Sequence, residues 1–396
     1  MNFRILVLAS GTFAIGTGTF VVTGILGEVA RDFSVSVGSA GYLITVFAVA
    51  YALGSPVLVA VTGGVERRHL LVAALYLFAL ANGAAALAPS FFWLLGARVL
   101  AACGAAVLTP VAAAVASELA PPGHEGRSLS LVMGGLSVAW VFGIPLGTVI
   151  GDRYGWRTSF LLVAVLSAVA ALGIRALLPP VAVIMQGSLR SRLAAGRRPA
   201  VLVALLVTSL GVAAGFVVLT YVHPLLGGLT DFGSSGIGVL LLLFGLAAVA
   251  GTAVGGAAAD RWGYGASMFA MLLVLPLSLL CFSLLFGARA GSFSAIAGTG
   301  AALAAWSVAG FAIIPLQQYR LVKVAPDDQD AVLSLNASAI YLGQGTGSGL
   351  GSLVLAHGSL PYLGGAGALC AAAALTVLAL GSWLQRSSAA SGKEQD

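Results

Sequence analysis

Long apolar stretches, joined by short polar or glycine-containing links, repeat along the whole chain. The hydrocarbon core of a bilayer is about 30 Å thick, so a helix needs ~20 mostly apolar residues to cross it. Twelve stretches of this sequence meet that length. The predicted spans lie near residues 5–29, 39–62, 70–88, 91–119, 129–151 and 158–178 and, after a linker, near residues 200–224, 235–259, 267–287, 294–318, 331–356 and 362–384. The pattern predicts an all-α integral membrane protein. The twelve spans and their links use the whole sequence, so we expect no soluble domain.

The composition agrees with lipid as the solvent. Hydrophobic residues make up 59% of the chain, charged residues make up 8%, and there are 53 glycines, which let membrane helices approach closely. Short alternating segments typical of a β-barrel are not found. The cysteines Cys103, Cys281 and Cys370 stand singly in apolar runs, so we expect no metal site, and we predict no cofactor.

Basic residues are distributed unequally over the two ends of the predicted spans. Fourteen of the 19 Lys and Arg residues lie on the side of the termini, four lie on the other side, and Arg98 lies within a span. This bias predicts that both termini are cytoplasmic. Because the basic residues are dispersed over loops, we expect a lipid bilayer and no nucleic acid as partner.

The middle of the chain separates two similar halves. A basic linker at residues 179–199 divides residues 1–178, with six spans, from residues 200–396, with six more and a short tail. Glycines spaced by four recur 200 residues apart, in the fifth and eleventh spans, as Gly143, Gly147 and Gly151 and as Gly343, Gly347 and Gly351. The repeat predicts two pseudo-symmetric six-helix halves with a substrate site between them.

The segment GGAAADRWG after the eighth span resembles the cytoplasmic loop of the major facilitator superfamily. Within that superfamily the whole chain is similar to the twelve-helix drug:proton antiporters, which include bacterial chloramphenicol and sugar efflux proteins. The resemblance implies the major facilitator fold and a bacterial plasma (inner) membrane location, and a monomer suffices for this fold. It also implies a cytoplasmic gate at Gly256, Asp260, Arg261 and Gly263, with Arg67 and Arg68 as its first-half counterpart. The alternative is that these charges only mark helix ends.

Two further motifs support the resemblance to antiporters. LGARVLAACGAA in the fourth span places Arg98 where the family has a membrane-embedded arginine, although this arginine can instead extend to the outer interface. The fifth span carries Gly143, Pro145 and Gly147 of the family's antiporter motif, with Ile144 in place of a glycine. We expect the proline to bend this helix and the glycine face to pack against the other half.

The family's cavity-lining helices indicate where substrate contacts lie. Aromatic and amide groups in an apolar cavity suit amphipathic organic molecules, although ordinary helix packing also explains each of them. The primary candidates are Thr19, Arg98, Tyr221, Trp306 and Gln317, and the secondary candidates are Trp140, Asn336, Tyr341 and Gln344.

Thr19 occupies the position at which many of these antiporters carry an acidic residue. The residue that would carry the coupled proton is therefore not identified. The candidates lie at the outer helix ends and are Glu28, Asp32, Asp152, His223, Asp231 and His357. We predict a secondary transporter that exports a small amphipathic drug, metabolite or sugar-like compound by alternating access in exchange for protons.

Other functions remain open at this point. The first alternative is an uncoupled facilitator, or a proton symporter, of a sugar-like or nucleoside-like solute. A more remote alternative is a membrane sensor or enzyme without transport. The chain has no GxxxxGK[ST] phosphate loop and no catalytic constellation, so we predict neither ATP hydrolysis nor another enzyme activity.

Overall fold

The computed structural model describes residues 3–121, 125–181, 194, 196–287 and 289–393, and the secondary structure assigned there is helical. The first half contains α1 (Phe3–Asp32), α2 (Val37–Ala40), α3 (Tyr42–Val61), α4 (Arg67–Ala86), α5 (Phe91–Glu118), α6 (Glu125–Tyr154) and α7 (Trp156–Leu177). The second half contains α8 (Pro199–Leu219), α9 (Val222–Thr230), α10 (Ser234–Leu285), α11 (Phe293–Val324), α12 (Gln329–His357) and α13 (Tyr362–Lys393), with a 3-10 turn at Pro326–Asp328. Most of the predicted linker, residues 182–193 and 195, lies outside the described residues.

The long helix α10 contains two of the predicted spans. Gly263 has φ 74° and ψ 162°, a conformation that breaks a helix and favours glycine. The Ser267 hydroxyl donates to the carbonyl of Ala258 over 2.9 Å, whereas nine residues of a continuous helix rise about 13 Å. The chain therefore folds back at Gly263, and the eighth and ninth spans are separate.

The number of spans agrees with the sequence prediction. By length and composition, ten helices in the described part of the chain can cross a membrane. One of them is α10, which supplies two spans, and the 29-residue helix α12 is long enough to supply the twelfth. The predicted seventh span extends too far, because the helix ends at Leu219 and α9 begins separately after Tyr221, whose backbone is not helical.

The two glycine ladders occupy equivalent places in the two halves. A Cβ atom at Gly147 on α6 would lie 2.5 Å from the carbonyl oxygen of Val21 on α1. A Cβ atom at Gly347 on α12 would lie 2.8 Å from the Cα atom of Ala213 on α8. Each ladder therefore packs its helix on the first helix of the same half, which agrees with the predicted pseudo-symmetry. The expectation that the glycine face of the fifth span packs against the other half is wrong.

Different glycines bring the halves together. A Cβ atom at Gly345 on α12 would lie 2.9 Å from Val49 on α3, and a Cβ atom at Gly245 on α10 would lie 2.5 Å from the Cα atom of Val141 on α6. The two contacts join α3 to α12 and α6 to α10. They form the main junction of the halves.

The junction closes one end of the bundle only. We call the end at which α1 begins the inner end, and the end at which α1 finishes the outer end. Along the face of α3 towards α12, Ala48 and Ala52 are buried, Pro56 is half-buried and Ala60 is exposed. Among the described residues, the halves therefore meet from the outer end to the middle and separate towards the inner end.

Candidate functional site

An aromatic cluster lies at the middle of the junction. The ring of Trp140 on α6 packs on Phe20 of α1, with 3.7 Å between ring centroids. From the second half, Phe311 approaches the same indole edge-on at 4.8 Å and Phe216 at 6.2 Å. Trp140, predicted as a secondary candidate, therefore contacts aromatic rings of both halves, and Phe20, Phe216 and Phe311 were missed because only contacts across helices reveal them.

A second aromatic contact across the junction is made by two tyrosines. Tyr51 on α3 and Tyr341 on α12 stack with 3.5 Å between their ring centroids and 20° between their planes. Gln344, one turn further along α12, is 4% exposed, and its side-chain oxygen has no hydrogen-bond partner among the described residues. Tyr341 and Gln344 were predicted. Tyr51 was missed, although a tyrosine in the middle of a span is a signal that sequence can supply.

Arg98 is buried inside the first half rather than extended to the outer interface. Its guanidinium donates to the carbonyl of Gly18 on α1 over 3.0 Å and to that of Leu43 on α3 over 3.4 Å. One face of the guanidinium lies 4.2 Å from the ring centroid of Phe47. Nη2 has no hydrogen-bond partner in the described part of the chain, and Arg98 forms no salt bridge there. The side chain is thus a buried cation held by two carbonyl groups and the face of one aromatic ring, without a carboxylate partner among the described residues.

Four other candidates are engaged in contacts within their own half. Thr19 donates to the carbonyl of Ile15 in its own helix, and Asn336 accepts from Thr208 over 2.8 Å. Gln317 is fully buried, donates to Ala204 and accepts from a tyrosine hydroxyl, so both ends of its amide are satisfied. Trp306 is 3% exposed and packs on phenylalanine rings of α10. In this conformation Asn336, Gln317 and Trp306 join helices of the second half, whereas the Thr19 hydroxyl bonds within α1.

The candidate Tyr221 lies at the outer end and not in the middle of the junction. Its side chain is fully buried, and its hydroxyl lies 2.7 Å from the Ser352 hydroxyl of α12. It also reaches the carbonyl of Gly38 in α2, at 3.3 Å. Tyr221 therefore contacts both halves.

Titratable groups gather near this outer end. A Cβ atom at Gly151 would lie 3.3 Å from both carboxylate oxygens of Glu28, so this carboxylate packs against α6. Burial lowers the pKa of the nearby His223, and the negative charge of Asp152 opposes that shift. Asp32 pairs with Arg157 over 2.5 Å. Asp231 and His357 are exposed.

Of the predicted second-half gate residues, Asp260, Arg261 and Gly263 are exposed in this conformation and Gly256 is half-buried. Asp260 and Arg261 make no hydrogen bond or salt bridge with other described residues, and Gly263 forms the turn itself. A Cβ atom at Gly256 would meet no atom within 4 Å. Their gate role stays a prediction.

In the first half, the corresponding loop before α4 is held by hydrogen bonds to neighbouring segments. Arg68 donates to the carbonyl of Arg175 at the end of α7 over 2.6 Å, while Arg67 is 1% exposed and reaches the carbonyl of Gly63. Glu66, which sequence reasoning missed, caps α4 and accepts from the Val181 amide over 2.8 Å. An acidic residue at a helix N-terminus, where it interacts favourably with the helix dipole, is the signal that could have found it.

Comparisons with known proteins place this architecture in a family. Residues 8–348 match the Major Facilitator Superfamily, so the chain belongs to that family of transporters. It is 30% identical over 368 residues to an uncharacterized MFS-type transporter, YbcL, of Bacillus subtilis, with 93% of each chain covered. It is 31% identical over 358 residues to the inner membrane transport protein YdhP of Escherichia coli K12, with 90% of each chain covered.

A solved structure shares the fold. It is that of a bacterial homologue of the human lysosomal transporter Spinster in an inward-facing and occupied conformation, with a TM-score of 0.70, 17% identity, and 96% of this chain and 94% of that chain covered. As a member of the Major Facilitator Superfamily, the chain is a multi-pass membrane transporter and not an enzyme. The resemblance to the superfamily is confirmed, and the antiporter subtype stays a prediction.

Proposed function

We propose that the protein exports a small amphipathic organic compound across the bacterial inner membrane in exchange for protons. The observation that carries this proposal is the chemistry of the junction between the halves. Aromatic rings from both halves meet there at Trp140 and Phe311 and at Tyr51 and Tyr341, and the buried amide oxygen of Gln344 has no hydrogen-bond partner in the part of the chain that the structure describes. Rings supply contact area and a few polar groups fix orientation, which suits an amphipathic ligand.

The distribution of charge narrows the substrate further. Arg98 is a buried cation that reaches the carbonyl of Gly18 in the middle of α1, whereas the acidic residues in the described part of the chain lie in links or within about one turn of helix ends or of the turn at Gly263. A cationic substrate at the junction would meet no compensating carboxylate, and burial of an unpaired charge is costly. The proposed substrate is therefore neutral or anionic.

The direction of transport is proposed from the antiporter-like motif in α6, and the separation of the halves at the inner end shows where a compound would enter in this conformation. If both termini are cytoplasmic, as the positive charge of the inner side predicts, this conformation admits compounds from the cytoplasm. Rocking of the halves about the junction would then expose the same site to the outside.

The proposal is tested in inside-out membrane vesicles that carry a preformed proton gradient, acidic inside. Chloramphenicol-like compounds, sugars and nucleosides are added one at a time while internal pH is followed, with vesicles lacking the protein as the control. We expect proton leakage with one compound class. Movement of labelled compound without any proton leakage would reject the antiport.

A second function is favoured by one observation. Thr19 replaces the helix-one acid of the antiporters, and among the described residues its hydroxyl bonds to the carbonyl of Ile15 in its own helix. Without a carboxylate at that depth, facilitated diffusion of a sugar-like or nucleoside-like solute is the alternative. In the same vesicles, labelled solute would then equilibrate without accumulation, whatever the proton gradient.

A further inference from the structure

The outer end of the junction is joined by a compact set of hydrogen bonds from hydroxyl groups of one half to backbone carbonyls of the other. Ser352 on α12 donates to the carbonyl of Gly38 over 2.8 Å, and Ser348 donates to the carbonyl of Gly41 over 3.0 Å. The Tyr221 hydroxyl, between α8 and α9, lies 2.7 Å from the Ser352 hydroxyl and 3.3 Å from the carbonyl of Gly38. Every one of these side chains is at most 3% exposed.

The two acceptors are glycines for a steric reason. A Cβ atom at Gly41 would collide with the Tyr221 hydroxyl, and one at Gly38 would lie 3.2 Å from the carbonyl oxygen of Ser352. The start of α3 can therefore approach Tyr221 this closely only without a side chain at Gly41, and a side chain at Gly38 would push α12 slightly away. Because the backbones lie this close, the three hydroxyl groups reach the carbonyls of Gly38 and Gly41. Each carbonyl already accepts one hydrogen bond from its own helix and has a second lone pair for a hydroxyl group.

These bonds belong to one state of the transport cycle. The bonds to the carbonyls of Gly38 and Gly41 run from the second half to the first, so separation of the halves at the outer end breaks them together. The Tyr221 hydroxyl keeps its contacts with the Ser352 hydroxyl and the Ser348 carbonyl, which belong to its own half. A buried hydroxyl that loses its partner is unsatisfied until water reaches it, which opposes opening. The Ser348 hydroxyl bonds across the junction, whereas many other hydroxyl groups in these helices bond to a carbonyl one turn back in their own helix.

We propose that Tyr221, Ser348 and Ser352 form an outer latch with Gly38 and Gly41, and that the latch sets how often the transporter opens outwards. Tyr221 is then a positioning residue of the transport cycle and does not contact the substrate. The inference uses only the alternating access of the family. It stands or falls separately from the proposed proton exchange and substrate class.

The test measures the distance between the halves at the outer end by pulsed electron spin resonance in lipid nanodiscs. Spin labels are placed at Tyr154→Cys in the first half and Phe293→Cys in the second, which are 65% and 87% exposed. The native cysteines Cys103, Cys281 and Cys370 are replaced by serine. Neither substrate nor gradient is added.

Removing single hydroxyl groups should increase the population with long distances. We expect Tyr221→Phe to raise the outward-open to inward-open ratio about fivefold, the factor for one typical hydrogen bond. Ser352→Ala should raise it at least as much, because Ser352 donates to the carbonyl of Gly38 over 2.8 Å, a shorter distance than the 3.3 Å from the Tyr221 hydroxyl. Ser348→Ala tests the separate bond to Gly41 and is the substitute if another variant does not fold.

The matched control is Thr220→Val, which removes a fully buried hydroxyl beside Tyr221 that bonds to Phe216 in its own helix. It should leave the distance distribution unchanged. The latch is rejected if Tyr221→Phe and Ser352→Ala leave the distribution as in the parent. It is equally rejected if Thr220→Val shifts the distribution as far as they do, because the effect would then be one of general packing.

Discussion

Tyr51 and Tyr341, one from each six-helix half, stack face to face with 3.5 Å between ring centroids at the level where the halves begin to separate. An aromatic pair contributes ~1 kcal/mol beyond the area that it buries. The pair marks the limit of the closed part of the junction. On its outer side the halves are in contact, and on its inner side they are separated.

Loss of this stacking should lower stability by a defined amount. Tyr341→Leu should lower the free energy of unfolding by ~1 kcal/mol, whereas Tyr341→Phe, which keeps the ring, should change it by less than about 0.5 kcal/mol. Unfolding of the purified protein in detergent measures both. Tyr362→Leu, at a ring that is 64% exposed, is the control, and an equal loss there would contradict the stacking effect.

The glycine ladder of α6 predicts a contrast between two glycines of one helix. Gly147→Ala should destabilise the protein by roughly 1–3 kcal/mol, because the new Cβ atom would lie 2.5 Å from the carbonyl oxygen of Val21. Gly134→Ala meets no atom within 4 Å and should be neutral or stabilising by up to about 1 kcal/mol.

Thermal unfolding of the two alanine variants side by side gives the comparison. If Gly134→Ala were as destabilising as Gly147→Ala, close packing of α6 on α1 would not be the reason for the ladder.

Arg98 predicts a preference for anions over cations. Tetraphenylborate and tetraphenylphosphonium have similar size and opposite charge, so their binding to the purified protein isolates the effect of charge. We expect the anion to bind at least about tenfold more tightly than the cation, a difference of about 1.4 kcal/mol, and Arg98→Gln to remove most of that preference. Competition with a fluorescent ligand measures the two affinities. Tighter binding of the cation would contradict the proposed anion preference.

Asp260 predicts an effect on transport without an effect on stability. Because its carboxylate is exposed and makes no ion pair here, Asp260→Asn should change the free energy of unfolding by less than about 0.5 kcal/mol. If the carboxylate bridges the halves when the inner end closes, the same change should reduce transport severalfold. Uptake assays and unfolding on one preparation separate the two. Unchanged transport would reject the gate role.

Glu66 predicts a loss of stability in acid. Burial raises the pKa of Glu66, but the amides of Val181, Arg68 and His69 donate to the carboxylate, and the net result is a pKa below the ordinary value of 4.5. A lowered pKa in the folded state means that the carboxylate stabilises the fold fully above pH 4.5 and that this contribution is lost as the pH falls through the lowered pKa.

The measurement is the unfolding temperature as a function of pH. Glu66→Gln should be less stable than the parent near neutral pH and should lose less stability on acidification. Parallel curves for the two proteins would show that Glu66 does not carry this dependence.

Part of the site was predictable from local patterns. Arg98 stands out as a charge in an apolar span, and Trp140, Tyr341 and Gln344 stand out as aromatic or amide groups on helices of the expected interface. Tyr51 and Phe311 were not singled out, because what makes each a candidate is its contact with an aromatic ring of the other half. Gln317 is the opposite case. Its residue type suggests a ligand contact, but its amide is already hydrogen-bonded to the carbonyl of Ala204 and to a tyrosine hydroxyl.

The sequence by itself determined the number of spans, the all-helical fold and the repeat of the two halves, because the bilayer requires ~20 apolar residues per crossing and glycine spacing defines a helix face. Only the tertiary structure decided which surface each glycine face covers. The ladder at Gly147 lies on α1 of its own half, while Gly245 and Gly345 meet the other half. Spacing along one helix fixes which residues share a face, and only packing against other helices determines the neighbour of that face.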